Sequence, residues 1–362
     1  MSRVDQVLDG FVPGDAVSRE ALALRAHLRA LGYKSDIFAL PEHTAPDGQA
    51  DARPIAELGA RAPDAVILHS AVASPVVEFW RRGPFRRLLL YHNITPAEWF
   101  RPYDSALAAQ LEAGRRALPD LLPAADALAA VSSFNADELG ALSSAPVRVM
   151  PLASAAAPQP PADPAWTARL SDGFTNILHV GRLAPNKCLE ELIEAFVWYH
   201  RGFNPHSRLI LAGSDRCCSR YATWLRMLIV EWQAENVWVA GFLSESQLAA
   251  AYGTASLVIS VSRHEGFCAP LLDAARVGIP VLARAAGGIP EAVGPGALLF
   301  DEASPRELAA LIHLATCDSR LRSVIAQGQR DRLAELDRRD VAAELRAWLA
   351  AAGVPAPPGC RT

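Results

Sequence analysis

The sequence predicts an α/β protein made of two Rossmann-like, doubly wound domains. Three observations predict it. Short apolar runs alternate with longer amphipathic ones through residues 1–150. A stretch dense in Pro and Ala, PLASAAAPQPPADPAW over 151–166, then breaks the pattern, and the alternation starts afresh at Asn176. The chain has 362 residues, 51% of them hydrophobic, enough for two domains with sizeable cores.

In the first half, 4–8 reads as a strand, 12–15 as a turn and 16–31 as a helix, with Leu22, Ala26, Leu28 and Leu31 apolar among Arg and Glu. Gly32 ends that helix and 34–39 is the next strand; this is the β–turn–α–β opening of a doubly wound domain. The polar, Pro-rich 41–53 is expected to be loop. Strands follow at 64–69, ending in His69, and at 87–92, ending in His92. Helices are expected at 75–82, through most of 95–118, and at 133–142, with strands at 127–131 and 147–150. Residues 151–173 read as the linker, since its prolines allow neither a central strand nor a continuous helix.

The second domain is expected over 174–340. Strands are read at 176–180, 208–212, 237–240 and 257–260, and helices at 189–200, 221–232 and 244–252. Leu192, Ile193, Phe196 and Val197 share one face of the first of these helices. Ser244 is the N-cap of the last, with Gln247 closing a capping box. Helices at 305–315 and 341–351 are amphipathic.

Residues 264–291, HEGFCAPLLDAARVGIPVLARAAGGIPE, concentrate the chemistry. Glu265 lies in a Glu-Gly-Phe turn. Pro270 opens a helix over 271–277, Gly278 closes it, Asp273 falls in its first turn, 279–283 is a buried strand, and Gly287-Gly288 breaks the chain. Free N–H groups at a helix start suit a phosphate, and carboxylates suit sugar hydroxyls. A pocket holding both suits a sugar phosphate.

Upstream, HVGRLAPNKCLEELIEAF (179–196) places Arg182 and Lys187 in the turn between a strand and a helix. Arg can grip phosphate oxygens with two N–H groups and Lys adds a point charge. Cations fixed there would stabilise a leaving diphosphate more in the transition state than in the ground state.

These two stretches resemble the donor-binding signature of glycosyltransferase family 4, retaining enzymes of the GT-B fold. The resemblance implies two Rossmann-like domains facing each other across a cleft, with the last helix, 341–351, crossing back to the first domain. It assigns Glu265 to the donor sugar and Asp273, where the family usually has Glu, to the nucleotide ribose. Arg182 and Lys187 become the diphosphate clamp, backbone N–H groups of Gly266, Phe267, Cys268 and Ala269 join the anion site, and Gly241 and Phe242 fall where the nucleobase pocket lies. In the first domain it places His92 at the donor sugar and a backbone N–H of the Gly14 loop at the diphosphate. The family often has two adjacent glycines in that loop; here Gly14 is followed by Asp15. Acceptor binding is expected near His69, Asn93, Trp99, Phe100 and Tyr103, from aromatic content and position.

The implied function is metal-independent transfer of a hexose from a nucleotide diphosphate sugar to a saccharide or lipid-linked saccharide. The donor leans to GDP-mannose, with UDP-hexose as the second choice, on the habits of bacterial polysaccharide enzymes rather than on any residue. Two readings compete with it: a GT-B epimerase or hydrolase acting on the same donor, and a catalytically weak nucleotide-sugar binder. A net charge of −4 argues against nucleic acid as a partner. The six cysteines fit no zinc spacing and read as free thiols, no metal cofactor is expected, and the N-terminus is unlike a signal peptide, so a cytoplasmic location is expected. Four arginines between Trp80 and Arg87 read either as a surface for peripheral contact with an anionic inner membrane or as a solvated helix end.

Overall fold

The computed structural model describes residues 2–156 and 160–357. The chain divides into two compact units. One comprises Met1–Pro96, Ala109–Ala157 and Arg339–Thr362; the other comprises Ala97–Ala108 and Pro158–Arg338.

The first unit carries β1 (Val4–Val7), β2 (Ile37–Ala39), β3 (Ala52–Pro54), β4 (Ala65–Ser70), β5 (Arg86–Tyr91), β6 (Ala127–Ala130) and β7 (Val147–Val149). They form a parallel sheet in the order β3-β2-β1-β4-β5-β6-β7. The order reverses direction between β1 and β4, which is where such sheets leave a crevice at their carboxyl ends. Helices α1 (Ala16–Ala30), α2 (Val76–Arg82), α3 (Ser105–Leu121) and α4 (Ser133–Gly140) make the crossovers. The second unit carries β8 (Thr175–Val180), β9 (Ser207–Ala212), β10 (Val237–Gly241), β11 (Leu257–Ser260), β12 (Val281–Arg284) and β13 (Leu298–Phe300), all parallel, in the order β10-β9-β8-β11-β12-β13. Its reversal lies between β8 and β11. Its helices are α5 (Pro164–Leu170), α6 (Leu189–Gly202), α7 (Ser219–Glu231), α8 (Glu245–Thr254), α9 (Ala269–Val277), α10 (Ile289–Val293), α11 (Pro305–Cys317) and α12 (Ser319–Asp337). A last helix, α13 (Val341–Ala351), packs on α1 and β6 within the first unit.

Strand side chains alternate between faces, so a sheet covered on both sides must be apolar at every position. The second unit obeys this closely. Ile177, Leu209, Leu211, Leu257, Ile259 and Leu282 enter one core with Leu192, Ile193 and Phe196 of α6 and Leu308 and Ile312 of α11. Their neighbours Leu178, Ile210, Val258, Val281 and Ala283 enter the opposite core with Leu271 of α9 and Tyr252 of α8. The Ser244–Gln247 capping box at the start of α8 is present as expected. Among the described residues no helix is long and apolar enough to cross a membrane.

Several segments differ from the sequence reading. β3 overlaps the end of the expected 41–53 loop. Three residues with Arg53 and Pro54 carry no strand signature, and an outermost strand tolerates both. The expected 95–118 helix begins only at Ser105, after a 3₁₀ turn at Ala97–Trp99, because Asp104 caps it through the N–H of Leu107 at 2.9 Å. Residues 97–108, expected in the first domain, cluster with the second unit, where Tyr103 meets Tyr221 edge-on with ring centroids 5.0 Å apart. Part of the expected linker is α5, capped by Asp163 with Pro164 in its first turn; residues 157–159 of that stretch lie outside the described residues. Cys360 also lies outside them.

Candidate active site

The chemistry-bearing loops of the second unit follow β8 and β11, the two strands that flank its reversal. After β8 the chain runs through Gly181 and Arg182 to a 3₁₀ turn, Pro185–Lys187, and enters α6 through Cys188, whose φ of 50° is left-handed. After β11 it runs through Ser262 and Glu265 to Cys268, again left-handed at φ 72°, and enters α9. Neither Cys188 nor Cys268 caps its helix through its own side chain, but at the start of α6 the Leu189 N–H donates to the Tyr221 hydroxyl at 2.8 Å.

The two loops are tied together. Asn186 donates to the carbonyl of His264 at 3.0 Å, and the N–H of Arg263 donates to the carbonyl of Asn186 at 3.0 Å. Lys187 Nζ forms an ion pair with Glu265 Oε1, the two side chains being 16% and 11% exposed. Burial works against the ionised Glu265, but the Lys187 ammonium, its hydrogen bond and one from Ser262 hold the carboxyl below its ordinary value. The Cys268 thiol lies beside Glu265, and burial pushes its pKa far up. His179, at the end of β8, donates from Nδ1 to the carbonyl of Ile259 at 3.1 Å. Its Nε2 is buried without a partner among the described residues. Burial and the nearby Lys187 lower its pKa to about 4, so the ring is neutral.

The glycines of the second motif shape the floor. A Cβ on Gly287 would lie 2.2 Å from the Glu265 carbonyl oxygen, and one on Gly288 would lie 2.2 Å from that of Gly266. The Gly288 N–H donates to the Glu265 carbonyl at 2.9 Å. The pair Gly287-Gly288 is thus the surface against which the acid's own backbone rests. Beneath it, Arg263 and the buried Arg284 share Glu191 of α6 and Glu302, which locks the base of the loop to α6 and β12.

Arg182 is exposed. Asp273 is buried, at 6% exposure, and α9 starts at Ala269, so Asp273 lies in the second turn and not in the first as expected. Phe267 is buried, whereas Gly266, Cys268 and Ala269 are partly exposed. Gly241 ends β10 at φ 69° with open space beside it, and Phe242 is 60% exposed.

In the first unit, Gly14 is exposed at φ 82° and Asp15 is the N-cap of α1, accepting from the N–H groups of Val17 and Ser18. A carboxylate therefore occupies the start of α1, next to the Gly14 loop whose backbone N–H is expected at the diphosphate. His69 and His92 stack with centroids 5.1 Å apart, His69 Nδ1 lying 2.9 Å from His92 Nε2. Burial lowers the His92 pKa to about 3. Asn93, expected at the acceptor, is buried and donates to Asn135 and Glu138 at 3.0 and 3.1 Å. Phe100 is 1% exposed, so it has no face to offer a sugar; Trp99 and Tyr103 pack on the second unit's core. Trp99 and Tyr103 are only partly buried and keep some surface. In the Arg-rich 80–87 stretch Trp80 is fully buried, its indole N–H donating to the Val66 carbonyl, and Arg82 and Arg86 pair with Glu78 and Asp126.

Gln6, Asn186, Ser262 and the role of His179 escaped the sequence reading. A polar residue inside an apolar strand, as in VDQV, is the signal that could have exposed Gln6.

The comparison with known families falls on the segment holding Lys187, Glu265 and Asp273. Residues 168–332 match the family model of the glycosyl transferases group 1. Within the matched segment lie both chemical loops and the glycine floor. The O-antigen chain mannosyltransferase B of Escherichia coli is 27% identical over 129 residues, 34% of this chain and 32% of that protein. The match spans about a third of that relative's length. The sucrose-phosphate synthase of Thermosynechococcus elongatus has a TM-score of 0.69 at 19% identity, covering 97% of this chain and 100% of that one. HepE of Anabaena, solved in complex with UDP and glucose, has a TM-score of 0.70 at 19% identity, with 97% and 100% covered. WaaG, described as a glycosyltransferase involved in lipopolysaccharide biosynthesis, has a TM-score of 0.67 at 14% identity, with 97% and 99% covered. These likenesses establish the fold: the chain is GT-B, two Rossmann-like parallel-sheet domains.

Proposed function

We propose that this chain is a glycosyltransferase that takes a hexose from a nucleotide diphosphate sugar and passes it, with retention, to a hydroxyl of a saccharide or lipid-linked saccharide. The observation that carries the reading is the Lys187–Glu265 pair at the β8/β11 reversal, inside the matched segment. Lys187 sits just before the start of α6, and α9, entered from the Glu265 loop, begins without a cap from its N-cap side chain, a setting that favours an anion. Lys187 and the exposed Arg182 would neutralise the diphosphate as it leaves, without a metal. Glu265, kept ionised by Lys187, would accept hydrogen bonds from hydroxyls of the donor sugar, and Asp273 would serve the ribose. In the first unit, His92 would bind a sugar hydroxyl. The mannosyl transfer named in the Escherichia coli relative supports a mannose donor, for which we take GDP-mannose; the UDP and glucose bound by HepE support a UDP-hexose as the second choice.

Thermal unfolding of wild type and Glu265→Gln against GDP, UDP and their sugars tests this. A ligand at a hundred times its Kd should stabilise by about 2.7 kcal/mol. The expected result is equal stabilisation of both proteins by one free nucleotide diphosphate and loss of turnover in the variant. No stabilisation by any nucleotide would overturn the donor-site assignment.

A further inference from the structure

The sheet of the first unit carries a one-way chain of hydrogen bonds at its carboxyl edge. β1 and β4 pair with Gln6 opposite Ile67, and β4 and β5 pair with His69 opposite Leu90. Positions two apart in a strand share a face, so Gln6, His69 and His92 lie side by side across three adjacent strands, on the face covered by α1. Gln6 Nε2 donates to the carbonyl of Ala21 in α1 at 3.0 Å. This fixes the amide, because the flipped arrangement would set oxygen against oxygen. Gln6 Oε1 therefore faces His69 Nε2 at 2.9 Å, and only a proton on that nitrogen satisfies both. His69 is neutral, its pKa driven well down by burial and by His92, so its Nδ1 carries a lone pair. At 2.9 Å from that lone pair, His92 Nε2 must hold the proton. The remaining nitrogen, His92 Nδ1, has no partner among the described residues.

We propose that Gln6 and His69 are positioning residues that lock His92 in its Nε2-protonated tautomer, so that Nδ1 is presented as a hydrogen-bond acceptor for a substrate hydroxyl. This rests on the reading of His92 as a sugar-binding residue. It also narrows the chemistry. A neutral ring offering a lone pair selects a hydroxyl and rejects a phosphate oxygen or a carboxylate, which have no proton to give. The sugar group met by His92 is accordingly a neutral hydroxyl and not the acid of a hexuronate.

Nitrogen-15 NMR of histidine-labelled protein tests the lock directly. The nine histidines are assigned by substitution, His92 by its loss in His92→Gln. The expected wild-type spectrum shows His69 and His92 both protonated at Nε2 and unprotonated at Nδ1. His92 protonated at Nδ1, or exchanging between tautomers, overturns the proposal. Two variants separate the lock from plain packing. Gln6→Met removes the acceptor that orders the chain, and His92 Nδ1 should then gain proton character. His69→Gln keeps the order, its amide N–H donating to Gln6 and its oxygen accepting from His92, and should preserve the wild-type tautomer. An unchanged His92 spectrum in folded Gln6→Met would also overturn the lock. Turnover in Gln6→Met should fall about tenfold, the equivalent of one hydrogen bond at about 1.4 kcal/mol. Loss of the tautomer with no loss of turnover would show that Nδ1 does not meet substrate, whereas failure of every nucleotide sugar to react would count against the sugar-binding reading alone, since the spectrum still decides the lock.

Discussion

Lys187 and Glu265 each supply what the other's burial takes away. Glu265 holds a pKa below the ordinary carboxyl value, so the pair's stabilisation is complete above that value and lost as pH falls through the lower, folded one. Lys187→Met leaves burial opposed mainly by the Ser262 hydrogen bond and raises the Glu265 pKa. The variant should lose about 3 kcal/mol of stability at pH 7, the scale for stranding one member of a buried pair. At pH 4, where the lone acid takes a proton, the loss should shrink markedly. Urea unfolding at both pH values measures this, and equal losses would mean that Glu265 does not carry its charge on Lys187.

At the scale of the element, the shape of the loop after β11 depends on the loop after β12. Gly288 permits a backbone approach that no side chain allows, its added Cβ lying 2.2 Å from the Gly266 oxygen. Gly288→Ala must push the Glu265 loop away from its seat. The expected outcome is a lower Tm together with lost nucleotide stabilisation. Gly253→Ala is the control: it sits in α8 with nothing within 4 Å, and alanine there should stabilise by about 0.5–1 kcal/mol. Equal Tm values for the two variants would remove the glycine pair from the account of the site.

For the whole molecule, acid is the revealing variable. His92 and His179 are neutral in the fold, with pKa values brought to about 3 and about 4, against about 6.5 in an unfolded chain. As pH drops below about 6.5 the unfolded chain binds protons that the fold refuses, so each histidine subtracts stability until its folded pKa is reached. Asp5 acts in the opposite sense. Burial raises its pKa to about 6, so the fold binds its proton first and gains stability as pH falls towards the ordinary aspartate value. The histidine contribution can be isolated: His92→Gln should cost stability at pH 7 and cost less, or nothing, at pH 4. Chemical denaturation of the two proteins across that range reads the difference, and a pH-independent cost would mean that His92 is not held neutral.

The α/β class, the order of most strands and helices, the capping box of α8 and the glycine-bounded acid loop are legible in the residues alone, because they follow from local periodicity, turn chemistry and short spacing. The sequence also places Lys187 and Glu265 among the chemical residues. It took the folded chain to show that the two pair, that Asp273 falls in the second turn of α9, and that Asn93 and Phe100 are committed to the interior. The fold alone reveals Gln6 behind His69 and His92, three residues brought together from β1, β4 and the end of β5. Pairing across a sheet depends on strand order and register, and those are set by how the apolar faces of distant segments bury one another, which no local stretch of sequence records.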